Sequence, residues 1–437
     1  MRTPDPTKAD QPARTSDVGT TWSRSHTFAA RELCAPRTAE ELQETIASSS
    51  RIRALGSRHS FNDVADTEGK LVTVHDLPER VDVDDSAATV TVSGGTTYGR
   101  LAEHLSHTHW ALQNMGSLPH ISVAGATATG THGSGDAHRN LSAAVSAVDV
   151  VTADGEMHRW TREGHTDFGG RVLSLGALGV ATTVTLDLVP TFDMRQDVWF
   201  DLPWPSLIEN LDAIMASAYS VSVMPDWSHS ETAGKVWLKS RCDAWDATLD
   251  PARFGARWAR TERGELAEGQ NANQTTQGGV PGPWWSRLPH FRPDADPSRG
   301  DEIQTEYFVP RRFGPDALRS LREVSPAFAP LVQVSELRTV AGDEQWLSPA
   351  HGRDSLAIHM TWRNEPEQVR EVLPIVEAAL EPYDPRPHWG KWFTHDGATV
   401  QRQYPRLGDF RTLVESLDPE GKFNNAFLER TLGSRRW

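Results

Sequence analysis

The stretch GSLPHISVAGATATGTHGSG, residues 116–135, decides how this chain is read. Glycines at 116, 125, 130, 133 and 135 stand among mostly small residues from Val123 onward. Such a run lets backbone approach a flat or charged ligand more closely than bulky side chains allow. A solvated linker would lack the interleaved Ile121, Val123 and Ala124. The spacing is not G-x-G-x-x-G after a first strand, which speaks against a nicotinamide dinucleotide site of the doubly wound type. Upstream, RALGSRHSFND (53–63) sets Gly56 at a turn and His59 two residues beyond Ser57, in a loop whose successive amides can cradle a diphosphate.

Around these two runs the pattern is mixed. Thr38 with Glu41 forms a capping box ahead of a helix with Leu42 and Ile46 on one face. Strands are predicted at 52–55, 71–74, 89–92, 148–152, 157–160 and 180–188, with Asp154-Gly155 as a hairpin signal. After Pro190 the pattern gives a helix at 207–215, strands at 219–223 and 235–239, and a long irregular stretch at 244–299. Helix 315–324, strands 331–340 and 356–362, and helix 366–380, bent at Pro374, follow. This is an α+β arrangement with a mostly antiparallel sheet. Period-two alternation places Glu336 and Arg338 on one strand face, and His359 and Thr361 on another. At this point such pairs fit a binding surface or an ordinary solvated face equally.

A chain of 437 residues exceeds one core's reach, so two domains, or one with a large insertion, are expected. The net charge of -15, with no basic stripe, excludes nucleic acid as a partner. Two distant cysteines, Cys34 and Cys242, give neither a disulfide framework nor a zinc motif and suit a reducing cytoplasm. No apolar run approaches a membrane span, and residues 1–19 read as a disordered tail. His120, His132 and His138 have only Asp136 nearby, so no metal site is expected. Six lysines against 38 arginines make Lys391, inside the apolar HWGKW, conspicuous. The 16 Trp leave open a non-enzymatic carbohydrate-binding protein that stacks sugars on exposed rings.

Longer motifs narrow this. LGSRHSFND (55–63), the 116–135 run, LGALGVATTVTL (175–186), GVPGPWWSRLPHF (279–291), SELRTV (335–340), IHMTW (358–362), RPHWGKWF (386–393) and FNNAFL (423–428) together resemble the alditol oxidases, the xylitol and sorbitol oxidases of the vanillyl-alcohol-oxidase superfamily. The C-terminal part is similar to sugar-lactone oxidases, and the resemblance begins near Trp22. It implies a two-domain flavoprotein with a split FAD-binding domain (20–190 and 392–437) and a substrate domain (191–391). The implied reaction is oxidation of a polyol's terminal hydroxyl to the aldose with O2 going to hydrogen peroxide, in a monomer. An aldonolactone oxidase or dehydrogenase is the nearest alternative.

Residue by residue, the resemblance implies that His59 attaches FAD covalently at its 8α-methyl carbon, with Gly56, Ser57, Arg58 and Ser60 around the diphosphate. Ser122, Gly125, Thr131, His132, Gly133 and Ser134 would form the second FAD loop, and Val180 an adenine-side contact. Gly116, next to Ser117, would leave room for O2 beside the flavin. Ser117, Glu336, Arg338, His359, Thr361 and Lys391 would bind the polyol, with Lys391, Arg338 and His359 catalytic.

Overall fold

The computed structural model describes residues 18–228, 231–243, 249–260, 268, 270–295 and 300–433. Most of the expected N-terminal tail, 1–17, lies outside the described residues, as does part of the 244–299 stretch.

Three short parallel strands, β1 (Glu32–Cys34), β2 (Ile52–Ala54) and β3 (Lys70–Val72), run in the order β1-β3-β2 beside helix α1 (Ala39–Ala47). Thr38 Oγ1 accepts from the Glu41 N–H at 3.1 Å, as a cap should. The Glu41 carboxylate accepts from the Arg37 N–H at 2.7 Å instead of closing the box on Thr38. Strands β4 (Val81–Asp84), β5 (Thr89–Ser93), β6 (Val145–Val151), β7 (Met157–Thr161) and β8 (Val180–Asp187) make an antiparallel sheet in the order β4-β5-β8-β6-β7. Within the glycine-rich run, Val123–Thr129 is a helix, α2, ended by Gly130 in the left-handed conformation (φ 75°).

The second sheet contains β9 (Asp193–Phe200), β10 (Ser220–Met224), β11 (Lys235–Arg241), β12 (Glu302–Pro310), β13 (Val332–Val340) and β14 (Ser355–Arg363), adjacent in the order β9-β11-β10-β13-β14-β12 and all antiparallel. One face is backed by α3 (Gly314–Phe328) and α4 (Pro366–Leu380), the latter continuing through Pro374 as one helix. The pattern did not reveal β9 and β12. The expected helix at 207–215 is two pieces, Trp204–Glu209 and Leu211–Met215, parted at Asn210.

Two large apolar cores form. One joins the first antiparallel sheet to residues from Val400 to Leu432; the other lies under the second sheet against α3 and α4. The architecture is α+β, and among the described residues no helix is long and apolar enough to cross a membrane.

Candidate active site

A cavity of about 780 Å³ lies between the loops of the first half and the face of the second sheet turned away from α3 and α4. On that face, register sets Glu336 opposite His359 and His359 opposite Glu306, with Arg338 and Thr361 one position to either side. The polar residues read from alternation are therefore not solvated: Glu336, Arg338, His359 and Thr361 are all buried, and all line the cavity.

Around His359 the charges meet one another. Lys391 Nζ donates to Glu306 Oε2 at 2.6 Å and to His359 Nδ1 at 2.8 Å. His359 Nε2 lies 3.0 Å from Thr361 Oγ1. With Nδ1 accepting from the ammonium, Nε2 carries the proton and donates to Thr361. Arg338 donates to Ser117 Oγ at 2.7 Å and pairs with Glu336. His290 stands 3.4 Å from the other Glu336 oxygen. Burial would raise the Glu306 carboxyl, but Lys391 and His132 hold it well below the usual range. Burial also lowers the Lys391 ammonium, against the pull of Glu306. The His359 imidazole is pushed down to about 3, first by burial and then by Lys391, which keeps it neutral.

The Lys391 loop is held by the first motif. Phe61 N–H donates to Gly390 O at 2.7 Å, and Asn62 Nδ2 to Trp389 O and Lys391 O at 2.9 and 2.8 Å. Trp392 Nε1 returns a bond to Phe61 O at 2.6 Å. The tryptophans flanking Lys391 therefore fix the loop: Trp389 is fully buried and donates to Leu347 O.

On the loop wall, Gly56, Ser57, Arg58, His59, Ser60, Ser122, Gly125, Thr131, His132 and Val180 line the cavity, whereas Gly116, Gly133 and Ser134 do not. Ser134 Oγ donates to Val221 O and so ties this run to β10. A Cβ on Gly133 would come 2.5 Å from Met115 O, so that glycine serves backbone packing. Arg58, at φ 62°, turns its guanidinium to Val18 O and over the Phe28 ring. His132 reaches the other wall, its Nε2 3.1 Å from Glu306 Oε1.

The wall fits a flavin dinucleotide. His59 Nδ1 and Ser122 Oγ are buried without a partner, and a Cβ on Gly56 or Gly125 would come within 2.8 Å of that Ser122 oxygen. The Ser122 amide is fixed by Ser57 Oγ at 3.1 Å. His59 lies against the Trp22 ring (centroids 4.9 Å apart), and burial, with His120 nearby, lowers its imidazole to about 4.

His120, His132 and His138 do not converge: His120 contacts Pro293 O and His138 packs on Tyr219. A different trio does, His132, Glu306 and His388. His388 Nδ1 accepts the Gly390 N–H at 3.1 Å, which places its proton on Nε2, and Glu306 is engaged by Lys391. The ammonium supplies the positive charge at that point, so these donors are already committed.

Residues 30–161 match the family described as FAD binding domain, and residues 300–431 the family described as D-arabinono-1,4-lactone oxidase. An alditol oxidase of a Streptomyces species is 46% identical over 421 residues, 95% of this chain and 99% of the relative. The chain belongs to the alditol oxidase family. An L-gulono-1,4-lactone dehydrogenase of Mycobacterium tuberculosis is 31% identical, covering 96% of this chain and all of that one. Among solved structures, cholesterol oxidase of B. sterolicum shares the fold at 13% identity, with a TM-score of 0.75 over 99% of this chain and 100% of that one. This alditol oxidase family member is an FAD-dependent oxidoreductase with the α+β, two-domain flavoprotein fold.

Sequence reasoning missed Glu306, His290, His388 and Asn62. Glu306 had a readable signal, its period-two spacing with Glu302 and Gln304 in EIQTEYFV.

Proposed function

We propose that the protein oxidises the terminal hydroxyl of an alditol of the xylitol or sorbitol type to the aldose, reducing O2 to hydrogen peroxide. The observation that carries this is the set of mutually paired groups at the cavity: His359, Glu306, Glu336 and Arg338 buried on one sheet face, with Lys391 reaching Glu306 and His359 from its loop. FAD, when bound, supplies the acceptor for the substrate hydride and passes the electrons to O2. Lys391 keeps one N–H beyond those given to Glu306 and His359, and it meets the substrate oxygen as negative charge develops there. Thr361, accepting from His359, keeps its own hydroxyl proton to donate to a neighbouring substrate oxygen. Ser117 is fixed by Arg338, and Glu336 offers an acceptor for a substrate hydroxyl. A site of this kind rejects short alcohols that leave its polar groups unpaired.

In the same reading His59 holds the flavin covalently, its buried, unpartnered and neutral imidazole being suited to that bond. We divide the domains near residues 190 and 391, and take the protein as a cytoplasmic monomer. Acid precipitation tests the covalent bond: flavin should stay with the polypeptide and appear in the supernatant for His59→Ala. A panel of xylitol, sorbitol and L-gulono-1,4-lactone with peroxide detection tests the activity. The lactone-oxidase match over 300–431 makes lactone the second reading, which wins if lactone alone gives peroxide.

A further inference from the structure

We propose that Lys235 forms a second charged end of the substrate cavity, receiving an anionic group at the far end of a polyol, so that aldonates are oxidised at their terminal hydroxymethyl. The inference rests on the polyol reading above and deepens it. Lysine is scarce in this chain, and the described lysines are otherwise engaged. Lys70 pairs with Glu32 at 3.7 Å, Lys239 donates to Leu288 O and Pro289 O, Lys422 to Ile46 O, and Lys391 to Glu306. Among the described lysines Lys235 alone makes neither a hydrogen bond nor an ion pair. It lines the cavity, partly buried, with its ammonium 5.3 Å from the centroid of the Trp237 ring.

Burial pushes the Lys235 ammonium below the usual lysine range, and Glu336 opposes this. Glu336 is already paired with Arg338, and the Asp226 carboxylate, which also lines the cavity past Met224, is solvent-exposed and caps the Ser228 N–H, so among the described residues Lys235 is the unpaired cation at this end. A neutral hydroxyl can accept a hydrogen bond from a partly desolvated ammonium, but an anion adds the attraction of opposite charges to that bond.

The sheet register gives the span. Lys235 pairs with Met224 on β10, whose neighbour β13 carries Glu336, and Glu336 pairs with His359 on β14. Three strand spacings of about 4.8 Å separate Lys235 from His359, roughly 14 Å. Both side chains rise from the same sheet face, so this spacing bounds the distance between them, and a six-carbon acid about 8 Å long, built on bonds of about 1.5 Å, falls within it. Such an acid would place its hydroxymethyl by Lys391 and His359 and its carboxylate at Lys235. The hydroxymethyl gives up a hydride and a proton to become the aldehyde, O2 takes two electrons and two protons to become peroxide, and the carboxylate is unchanged.

The test compares D-gluconate with sorbitol on the holoenzyme. The unmutated protein should oxidise gluconate, and the ratio of kcat/KM for gluconate to that for sorbitol should fall at least tenfold in Lys235→Met and recover in Lys235→Arg. D-Glucarate, with no primary hydroxyl, should raise the thermal midpoint of the unmutated holoenzyme more than that of Lys235→Met. Sorbitol 6-phosphate tests the other anion source; a larger Lys235-dependent ratio for it than for gluconate would overturn the choice of carboxylate. Sorbitol oxidation with a gluconate ratio unmoved by Lys235→Met would overturn the inference while sparing the polyol reading. Oxidation of no alditol at all would instead defeat that reading.

Discussion

On the loop wall of the cavity, His59 Nδ1 and Ser122 Oγ are buried with no partner and no opposite charge is paired with them, whereas on the sheet wall Arg338 faces Glu336 and Glu306 faces Lys391 from its loop, with Glu336 Oε1 and Arg338 Nε alone left over. The loops leave polar atoms and glycine-sized gaps for a large guest to complete. The sheet has its field assembled before a substrate arrives, so little reorganisation remains when charge develops on the reacting oxygen. The contrast predicts that loop substitutions act on cofactor retention and sheet substitutions on the rate of substrate oxidation.

The largest departure is expected for Arg338→Ala, which removes the partner of Ser117 and leaves Glu336 buried without its main counter-charge. Anaerobic flavin reduction by alditol should slow by about 10² to 10³-fold, with flavin content retained. Loss of flavin in place of rate would break the division between the walls.

Glu306→Gln should act less strongly and through pH. Burial lowers the Lys391 pKa and Glu306 raises it, so the cation persists only while pH stays under a value already below the usual 10.5. If the cation is required, the reduction rate falls as pH rises through that value, and removing Glu306 moves the fall to lower pH. The low His359 pKa of about 3 adds no limb at moderately acid pH. A pH profile of the reductive half-reaction checks both statements.

How much of this the sequence showed differs between the same two walls. Alternation in β13 and β14 displayed Glu336, Arg338, His359 and Thr361, because a strand alternates its faces whatever surrounds it. Burial of both faces of β12 hid that strand, and the Lys391–Glu306 pair joins residues 85 positions apart that no local pattern connects. The glycine-rich run gave the location of the loop wall but not its interior. Gly133 and Ser134 looked like ligand contacts, yet a short helix, α2, turns the chain there, and these residues serve the backbone against Met115 and Val221. Glycine composition marks close approach without saying whether ligand or protein approaches.

Gly125→Val sharpens the loop side of the comparison. Its Cβ would meet Ser122 Oγ at 2.8 Å and fill the gap beside it. Flavin content after purification should fall several-fold, while molecules that retain flavin are reduced at near-normal rate. Stopped-flow reduction normalised to bound flavin separates these quantities.

Gly116→Ala should be the mildest in reduction. A Cβ there would meet Thr131 Cγ2 at 3.3 Å and His132 O at 3.7 Å, a tight but accommodating fit. If the position gates O2, reoxidation slows far more than reduction; equal loss in both half-reactions would mark it as packing alone.

The preassembled charge on the sheet wall is tested most directly by mixing xylitol anaerobically with the unmutated protein and with Lys391→Met, and following the bleaching of bound flavin. Reduction is expected to slow by about 10² to 10³-fold in the variant with its flavin content intact. Bleaching at an unchanged rate in Lys391→Met would contradict the account.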